Sequence, residues 1–82
     1  MCDNCVTAFF NLKQGGPTTL TVYNSIGQRV RKLFDEHALA RQNYGLVWDG
    51  TNDDGERVAS GVYYLRLEGR RYVLTRRIAI VK

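Results

Sequence analysis

Short runs of alternating apolar and polar residues, separated by Gly, Asn and Asp, constrain the fold of this chain most strongly. No window shows an apolar stripe with the 3.6-residue period of a helix over three turns. The runs "TTLTVYN", "YGLVW" and "GVYYLRLEG" instead alternate with a period of two. Turn signals recur every 8 to 12 residues or so, which is typical of small sandwiches. The pattern therefore predicts an all-β fold, a β-sandwich of about seven short, mainly antiparallel strands.

Two strands of this pattern require a local irregularity. In "QRVRKLF" the apolar Val30 and Leu33 are three residues apart, so a bulge, or a strand that ends near Lys32, is needed to point both inward. In "YVLTRRIAIVK" the basic Arg76 has the parity of the apolar positions. Either a bulge lies between Thr75 and Arg77, or Arg76 lies at a sheet rim with its charge in water.

Connections are predicted from the residues between the runs. "QGGP" interrupts "VTAFFNLKQ" and "TTLTVYN", so these two runs form a candidate hairpin. "DEHALARQN" is too short for an independent helix, and we expect a loop that contains a single turn. "EGRR" is expected to be a tight turn before the last strand.

Chain length and charge limit the possible functions. The 82 residues form one domain, and a domain of this size buries only about 60 to 65% of its unfolded surface, so a deep enclosed active site is not expected. The net charge is +4, and the excess lies near the end of the chain. A solvated strand face explains such a basic end better than nucleic-acid binding, which we do not expect. The basic residues are Arg66, Arg70, Arg71, Arg76, Arg77 and Lys82.

The N-terminal residues carry no export signal and leave the role of two cysteines open. "MCDNCVTAFF" lacks the charged and apolar regions of a signal peptide, and no apolar stretch approaches the length of about 18 residues that a membrane helix needs. Membrane insertion is therefore not expected. Cys2 and Cys5 form a lone CxxC, which is compatible with an incidental terminus, a disulfide or intersubunit bridge, or half of a metal site.

The stretch "WDGTNDDGERVASGVY", residues 48–63, concentrates acidic residues and is the candidate for chemistry. The spacing of its oxygens fails the EF-hand pattern, although a looser calcium site remains an alternative. Catalysis is not expected, because consecutive acids on an exposed turn lack the cleft and the partner groups that carboxylate chemistry needs. We therefore predict no enzymatic activity, no cofactor and no metal. The residues of the alternative calcium site are Asp49, Asn52, Asp53 and Asp54.

A structural interpretation explains more of this stretch. Asn and Asp side chains cap nearby backbone amides, and Gly55 tolerates a positive φ. Trp48 and Tyr63 are then core anchors at the two ends of the connection, with Val58 as a small apolar plug beneath it.

The order of these motifs resembles an Ig-like β-domain family. The most specific part is the pattern W-D-G-x-x-D-x-G-x-x-V-x-x-G-x-Y, preceded by "LTVYNSIGQRVRKL" and followed by "RRIAIVK". The similarity runs from Phe10 to Lys82. It is shared with the C-terminal sorting domains of type IX secretion and with the Ig-like module of the flagellar hook-capping protein. The residues that carry the pattern are Trp48, Asp49, Gly50, Asp53, Gly55, Val58, Gly61 and Tyr63.

The resemblance implies an Ig-like sandwich at 9–82, preceded by an N-terminal extension, residues 1–8, that could be frayed. It implies a non-catalytic protein-interaction module, in the first place a sorting and anchoring domain that reaches the cell surface or medium through the periplasm. The chain would then be part of a longer protein. The alternative is a structural Ig-like subunit or spacer of a larger extracellular assembly. Partners are secretion machinery or neighbouring subunits, with strand-mediated self-association as a further option. The expected partner-binding residues are Arg76, Arg77, Ile78, Ile80, Val81 and Lys82.

Overall fold

The computed structural model describes residues 5–81 and contains only strands and their connections in that range. Two antiparallel sheets are formed, so the all-β prediction is confirmed. Six strands are present among the described residues, against the expected seven or so. They are β1 (Val6–Phe10), β2 (Gly16–Asn24), β3 (Arg29–Ala38), β4 (Tyr44–Trp48), β5 (Gly61–Glu68) and β6 (Val73–Ile80).

The two sheets differ in width. The smaller sheet pairs β1 with β4, and the larger has the order β3-β2-β5-β6. The predicted hairpin between the first two runs is therefore wrong, because β1 pairs with β4, from Val6 opposite Trp48 to Phe10 opposite Tyr44. The connection through "QGGP" carries the chain from one sheet to the other. In a sandwich such a crossover lets each strand bury its apolar face against the opposite sheet.

The predicted bulge in β3 is confirmed. Pairing with β2 shifts register between Leu20 and Thr21, which leaves Leu33 unpaired, and again between Val22 and Tyr23, which leaves Val30 unpaired. Both unpaired residues pack on the core. Each extra residue moves the side chains that follow it to the other face of the strand, so both Val30 and Leu33 can point inward although they are three residues apart.

Strand β3 is longer than its sequence indicates. Residues 35–38, predicted to be loop, continue the strand, with Asp35 opposite Thr19 and Ala38 opposite Gly16. Ala38 is fully buried. Pairing with β2 thus outweighs the weak local preference of "DEHA" for a turn, as expected when cross-strand contacts decide strand formation.

The core lies between the sheets as two adjoining clusters. One contains Trp48 and Tyr63, whose rings meet edge to face with centroids 5.3 Å apart. The other contains Leu12, Leu20, Ala38 and Leu67, and is flanked by an aromatic group. The clusters place the acidic connection of residues 49–60 at the Trp48 end of the sandwich. In the aromatic group Phe10 stacks on Tyr44 at 4.9 Å, and Phe34 packs edge-on against both.

Both ends of the described chain lie directly beside a strand, Cys5 before β1 and Val81 after β6. Strand β1 begins at Val6, so residues 6–8 of the predicted N-terminal extension lie in the smaller sheet. Cys5 is disulfide-bonded, while Cys2 and Lys82 lie outside the described residues. Within residues 5–81 no helix is long and apolar enough to cross a membrane.

Candidate functional site

The connection from β4 to β5, residues 49–60, is an ordered loop built around Asn52. The Asn52 Oδ1 atom accepts hydrogen bonds from the backbone N–H groups of Asp54 (3.0 Å) and Glu56 (2.9 Å). The Asn52 N–H donates to the Glu56 carbonyl at 2.8 Å, and the Gly55 N–H donates to the Asn52 carbonyl. Gly55 has φ of 84°, a conformation that glycine adopts without steric cost. The acids of "NDDGE" thus lie on a closed turn of the kind that Asn side chains nucleate.

The same turn occurs a second time, between β2 and β3. Asn24 Oδ1 accepts from the N–H groups of Ile26 (3.1 Å) and Gln28 (2.9 Å). Gly27 has φ of 86°, close to that of Gly55. The underlying signal is a repeat, "NSIGQRV" and "NDDGERV", which fits the single pattern N-x-x-G-[QE]-R-V. The repeat is readable in the sequence, but only the structure shows that both copies form the same Asn-centred turn. In both copies the final valine, Val30 or Val58, packs on the Trp48 cluster.

The loop is fastened to the edge strand β3. The Asp53 N–H donates to the Val30 carbonyl at 2.9 Å, and the Lys32 N–H donates to Asp53 Oδ1 at 3.0 Å. Asp53 Oδ2 also lies 3.2 Å from the Arg29 Nε atom. These bonds continue the ladder beyond β3 at the segment where its register shifts. An edge strand presents unpaired backbone groups to solvent, and the loop satisfies part of that edge.

Arg31 completes this attachment from the β3 side. Its Nη1 atom donates to the Thr51 Oγ1 atom at 3.1 Å and to the Asn52 carbonyl at 2.7 Å. The contact is partly buried, and hydrogen bonds from a charged donor are stronger than neutral ones. Hydrogen bonds to three successive residues of β3, Val30, Arg31 and Lys32, therefore hold the loop in addition to its own turn.

The two aromatic anchors tie the ends of the loop to the core. The Trp48 Nε1–H donates to the Thr51 carbonyl at 2.8 Å, and the Tyr63 hydroxyl donates to the Ala59 carbonyl at 2.6 Å. The Trp48 ring is fully buried, and Tyr63 is 7% exposed. Between them the Val58 N–H donates to the Gly50 carbonyl at 2.9 Å, and Gly50 itself has φ of 79°. Buried aromatic residues with a polar atom need a partner for it, and here both partners are loop carbonyls.

The acids of the loop have structural partners. Thr51 donates its hydroxyl to Asp49 Oδ1 at 2.5 Å and its N–H to the same oxygen at 3.1 Å. The hydroxyl bond lowers the pKa of Asp49 below its ordinary value of 3.8, and the backbone bond and the Arg31 charge act in the same direction. Asp53 is occupied by Arg29 and Lys32. No group of three or more His, Cys, Asp or Glu residues in the described part of the chain is arranged to hold a metal ion.

The expected partner-binding residues divide between two faces of β6. The pairing of β5 with β6 is continuous, with Arg76 opposite Leu65, so the alternative with a bulge is not adopted. Arg76 is exposed and shares the inner face with Ile78 and Ile80, while Arg77 has the opposite parity. Ile80 is only 2% exposed and belongs to the Trp48 cluster. Its side chain therefore supports the core and is not available to a partner, unlike the exposed Arg76, Arg77 and Val81.

Comparison with known families agrees with this architecture. A family model described as the FlgD Ig-like domain matches residues 8–71. The matched range includes the four complete strands β2 to β5, the last three residues of β1 and the whole loop of residues 49–60. Searches of curated proteins and of solved structures give no match. The family match covers most of the sandwich, and the chain therefore belongs to the FlgD Ig-like domain family.

Proposed function

We propose that this domain is a non-catalytic structural module that contributes an Ig-like block to a larger protein assembly. The family match over residues 8–71 carries the proposal, since the matching model describes an Ig-like domain of a flagellar hook-capping protein. It supports the structural subunit that was our alternative in preference to the sorting domain that we expected first. A fold hosts many functions, so the family and the surface together, and not the sandwich alone, support this role.

The geometry of the acidic loop agrees with a structural role. Its carboxylates at Asp49 and Asp53 are engaged by Thr51, Arg29 and the Lys32 amide. A general acid or nucleophile needs an unoccupied carboxylate beside a space for substrate. The loop instead uses its polar groups to close one sheet edge, which suits a rigid building block.

The test compares the size of the assembly in cells with and without this chain. A strain that lacks the chain should lose a complex that sediments far above the 9.4 kDa monomer, and the wild-type chain should restore it. Asp54→Ala, which changes only an exposed turn residue, is the matched control and should also restore it. A chain that sediments alone, in cells whose large complexes are unchanged by its removal, would contradict the proposal.

Secretion to the cell surface as a sorting domain is a second candidate, supported by the outer edge of β6, which has no strand partner among residues 5–81. Arg76 and Arg77 lie there without an ion pair among residues 5–81. Removal of the segment from Arg77 onward is a poor test, because it also removes the buried Ile80. The double variant Arg76→Glu, Arg77→Glu leaves the core intact. Unchanged export of a reporter fused to that variant, in a host with type IX secretion, would rule out this candidate.

A further inference from the structure

The unequal sheets leave part of the inner face of the larger sheet uncovered. The smaller sheet has two strands and the larger has four, and β4 contacts β3 at one side of the sandwich. At the other side, residues of β1, β5 and β6 line an open groove of about 610 Å³, within the range of about 300 to 1,000 Å³ for binding clefts. We call this groove the β1–β6 groove. It is lined by strand β1, by Leu67 of β5, and by Leu74, Arg76 and Ile78 of β6.

The apolar floor of the β1–β6 groove is exposed where a sandwich would normally be covered. Leu74 pairs with Leu67 across the two strands, so both side chains lie on the inner face. Leu67 is 7% exposed, whereas Leu74 is 52% exposed. At the other end of β6, Ile80 on the same face is buried. Leu74 is therefore exposed because no described strand of the smaller sheet covers this part of β6.

The wall of the β1–β6 groove is a free strand edge. Among the described strands β1 pairs with β4 alone, so its second edge has no strand partner. The backbone groups on a free edge are hydrogen-bonding sites that an added strand satisfies. Recognition by strand addition combines such backbone bonds with pockets for alternate side chains. The β1–β6 groove offers both, since the edge of β1 lies beside the inner face of β6.

Charge specifies which segment would fit. Two arginines, Arg76 and Arg77, line the β1–β6 groove, and no acidic residue lines it. Neither arginine forms an ion pair within residues 5–81. On the inner face Arg76 lies between Leu74 and Ile78 in the order apolar, basic, apolar. A complementary strand presents apolar, acidic and apolar side chains at alternate positions, because these lie on one face.

We propose that the β1–β6 groove binds an extended segment of a partner protein, which adds as a strand to the free edge of β1 and places an acidic side chain against Arg76. Two apolar side chains of that segment cover Leu74 and Ile78. This inference deepens the proposed function, on which it rests, by naming the contact surface and the chemistry of the neighbouring subunit.

A second copy of the chain is a poorer occupant of the groove. Strands β1, β4 and β6 contain no acidic residue. A symmetric contact through β6 would bring Arg76 and Arg77 of two copies together, and like charges in an interface oppose association. Strand β3 has the acids Asp35 and Glu36, but Asp35 is paired with Lys32, and the alternate neighbours of Glu36, Phe34 and Ala38, pack on the chain's own core. The charge pattern therefore favours a different protein.

The test uses two blocked peptides, TVTETVT and TVTKTVT, titrated into the isotope-labelled chain and followed by NMR. We expect the glutamate peptide to bind roughly tenfold or more tightly than the lysine peptide, because only the former complements Arg76. Amide signals of β1 and β6 should shift, and those of β3 should not. The variant Arg76→Glu should reverse the preference, and Arg76→Gln should abolish it.

The matched control is Arg57→Glu, which makes the same charge change on the exposed loop outside the groove. It should leave the preference of the wild-type chain unchanged. Equal binding of both peptides, the absence of binding, or a reversal by Arg57→Glu would overturn the proposal, as would dimerisation of the chain that protects β1. If the chain still enters its assembly but binds neither peptide, only the groove proposal is refuted. The proposed structural role would then be carried by another face of the domain.

Discussion

Asp53 is the residue that most directly converts the acidic loop into a structural element. Its backbone N–H donates to β3, and its carboxylate accepts from the Lys32 N–H and faces Arg29. Its neighbour Asp54 is also exposed, and its carboxylate has no hydrogen bond or ion pair within the described chain. Substituting each of the two adjacent aspartates in turn therefore distinguishes the contribution of the Asp53 side-chain contacts from that of the turn itself.

We expect Asp53→Ala to lower the free energy of unfolding by about 1 to 2 kcal/mol, because it removes a charge-assisted hydrogen bond and leaves the Lys32 N–H without its acceptor. The ion pair with Arg29 is exposed and adds little. Urea unfolding followed by Trp48 fluorescence measures the difference. Asp54→Ala is the control and should stay within about 0.5 kcal/mol of wild type. Equal losses in the two variants would contradict the assignment.

Asp49 gives the domain a predictable acid sensitivity. The Thr51 hydroxyl bond lowers the pKa of Asp49 in the folded chain. A carboxylate with a lower pKa when folded stabilises the fold above its unfolded pKa, and this contribution is lost as the pH falls through the folded value. The stability difference between wild type and Asp49→Asn should therefore shrink as the pH falls below the ordinary carboxyl pKa of 3.8 and through the lower pKa of the folded chain.

The variant Thr51→Val provides a second test of the Asp49 effect. It removes the hydroxyl donor while the carboxylate remains, so its stability difference from wild type should shrink over the same acidic range. Thermal unfolding at a series of pH values measures both variants. A difference that stays constant with pH in both would show that the hydroxyl bond does not perturb Asp49.

At the scale of elements, the repeated Asn turn explains how two loops of different length meet the same core. Both turns place a valine on the Trp48 cluster two residues after the Gln or Glu. The first turn joins a hairpin, and the second lies inside a longer crossover. The repeat is therefore a local unit whose conformation depends on its own residues and not on the strands around it.

We expect Gly27→Ala and Gly55→Ala to destabilise the chain to a similar extent, by about 1 to 2 kcal/mol each, because an alanine in a left-handed conformation is strained. A Cβ atom would meet nothing within 4 Å at either site, so backbone strain is the whole effect. Asn at either position should cost less, since Asn tolerates this conformation. Chemical denaturation of the four variants is the measurement. A large difference between the two alanine variants would contradict the equivalence of the turns.

The elements that sequence reasoning predicted well are those that local pattern decides. The alternation in β5 and β4 and the core positions of Trp48 and Tyr63 follow from period-two burial, and the β3 bulge follows from the spacing of Val30 and Leu33. The extension of β3 through Ala38 was missed, because its pairing with β2 supplies what the local residues lack. Propensity is a weak guide where a buried partner strand is present.

At the scale of the whole molecule, the strand partners were the least predictable feature. Strand β1 joins β4, more than thirty residues later, although β2 follows it directly. Local sequence contains no signal for that choice, since the apolar faces of β1, β2 and β4 are all compatible with several pairings. The open groove beside β1 was also not predicted, because it arises from the unequal widths of the two sheets.

The central claim is that the loop of residues 49–60 folds as an integral part of the sandwich, which makes the chain a rigid structural module and not a scaffold for a mobile acidic site. Native-state hydrogen exchange followed by NMR tests it most directly, because it reports the opening free energy of each amide. We predict that the amides of Asp53 and Lys32 exchange as slowly as those in the centre of β2 and β5, and that Asp53→Ala releases the Lys32 amide. Fast exchange of both amides in a wild-type chain whose β2 and β5 are protected would contradict the account.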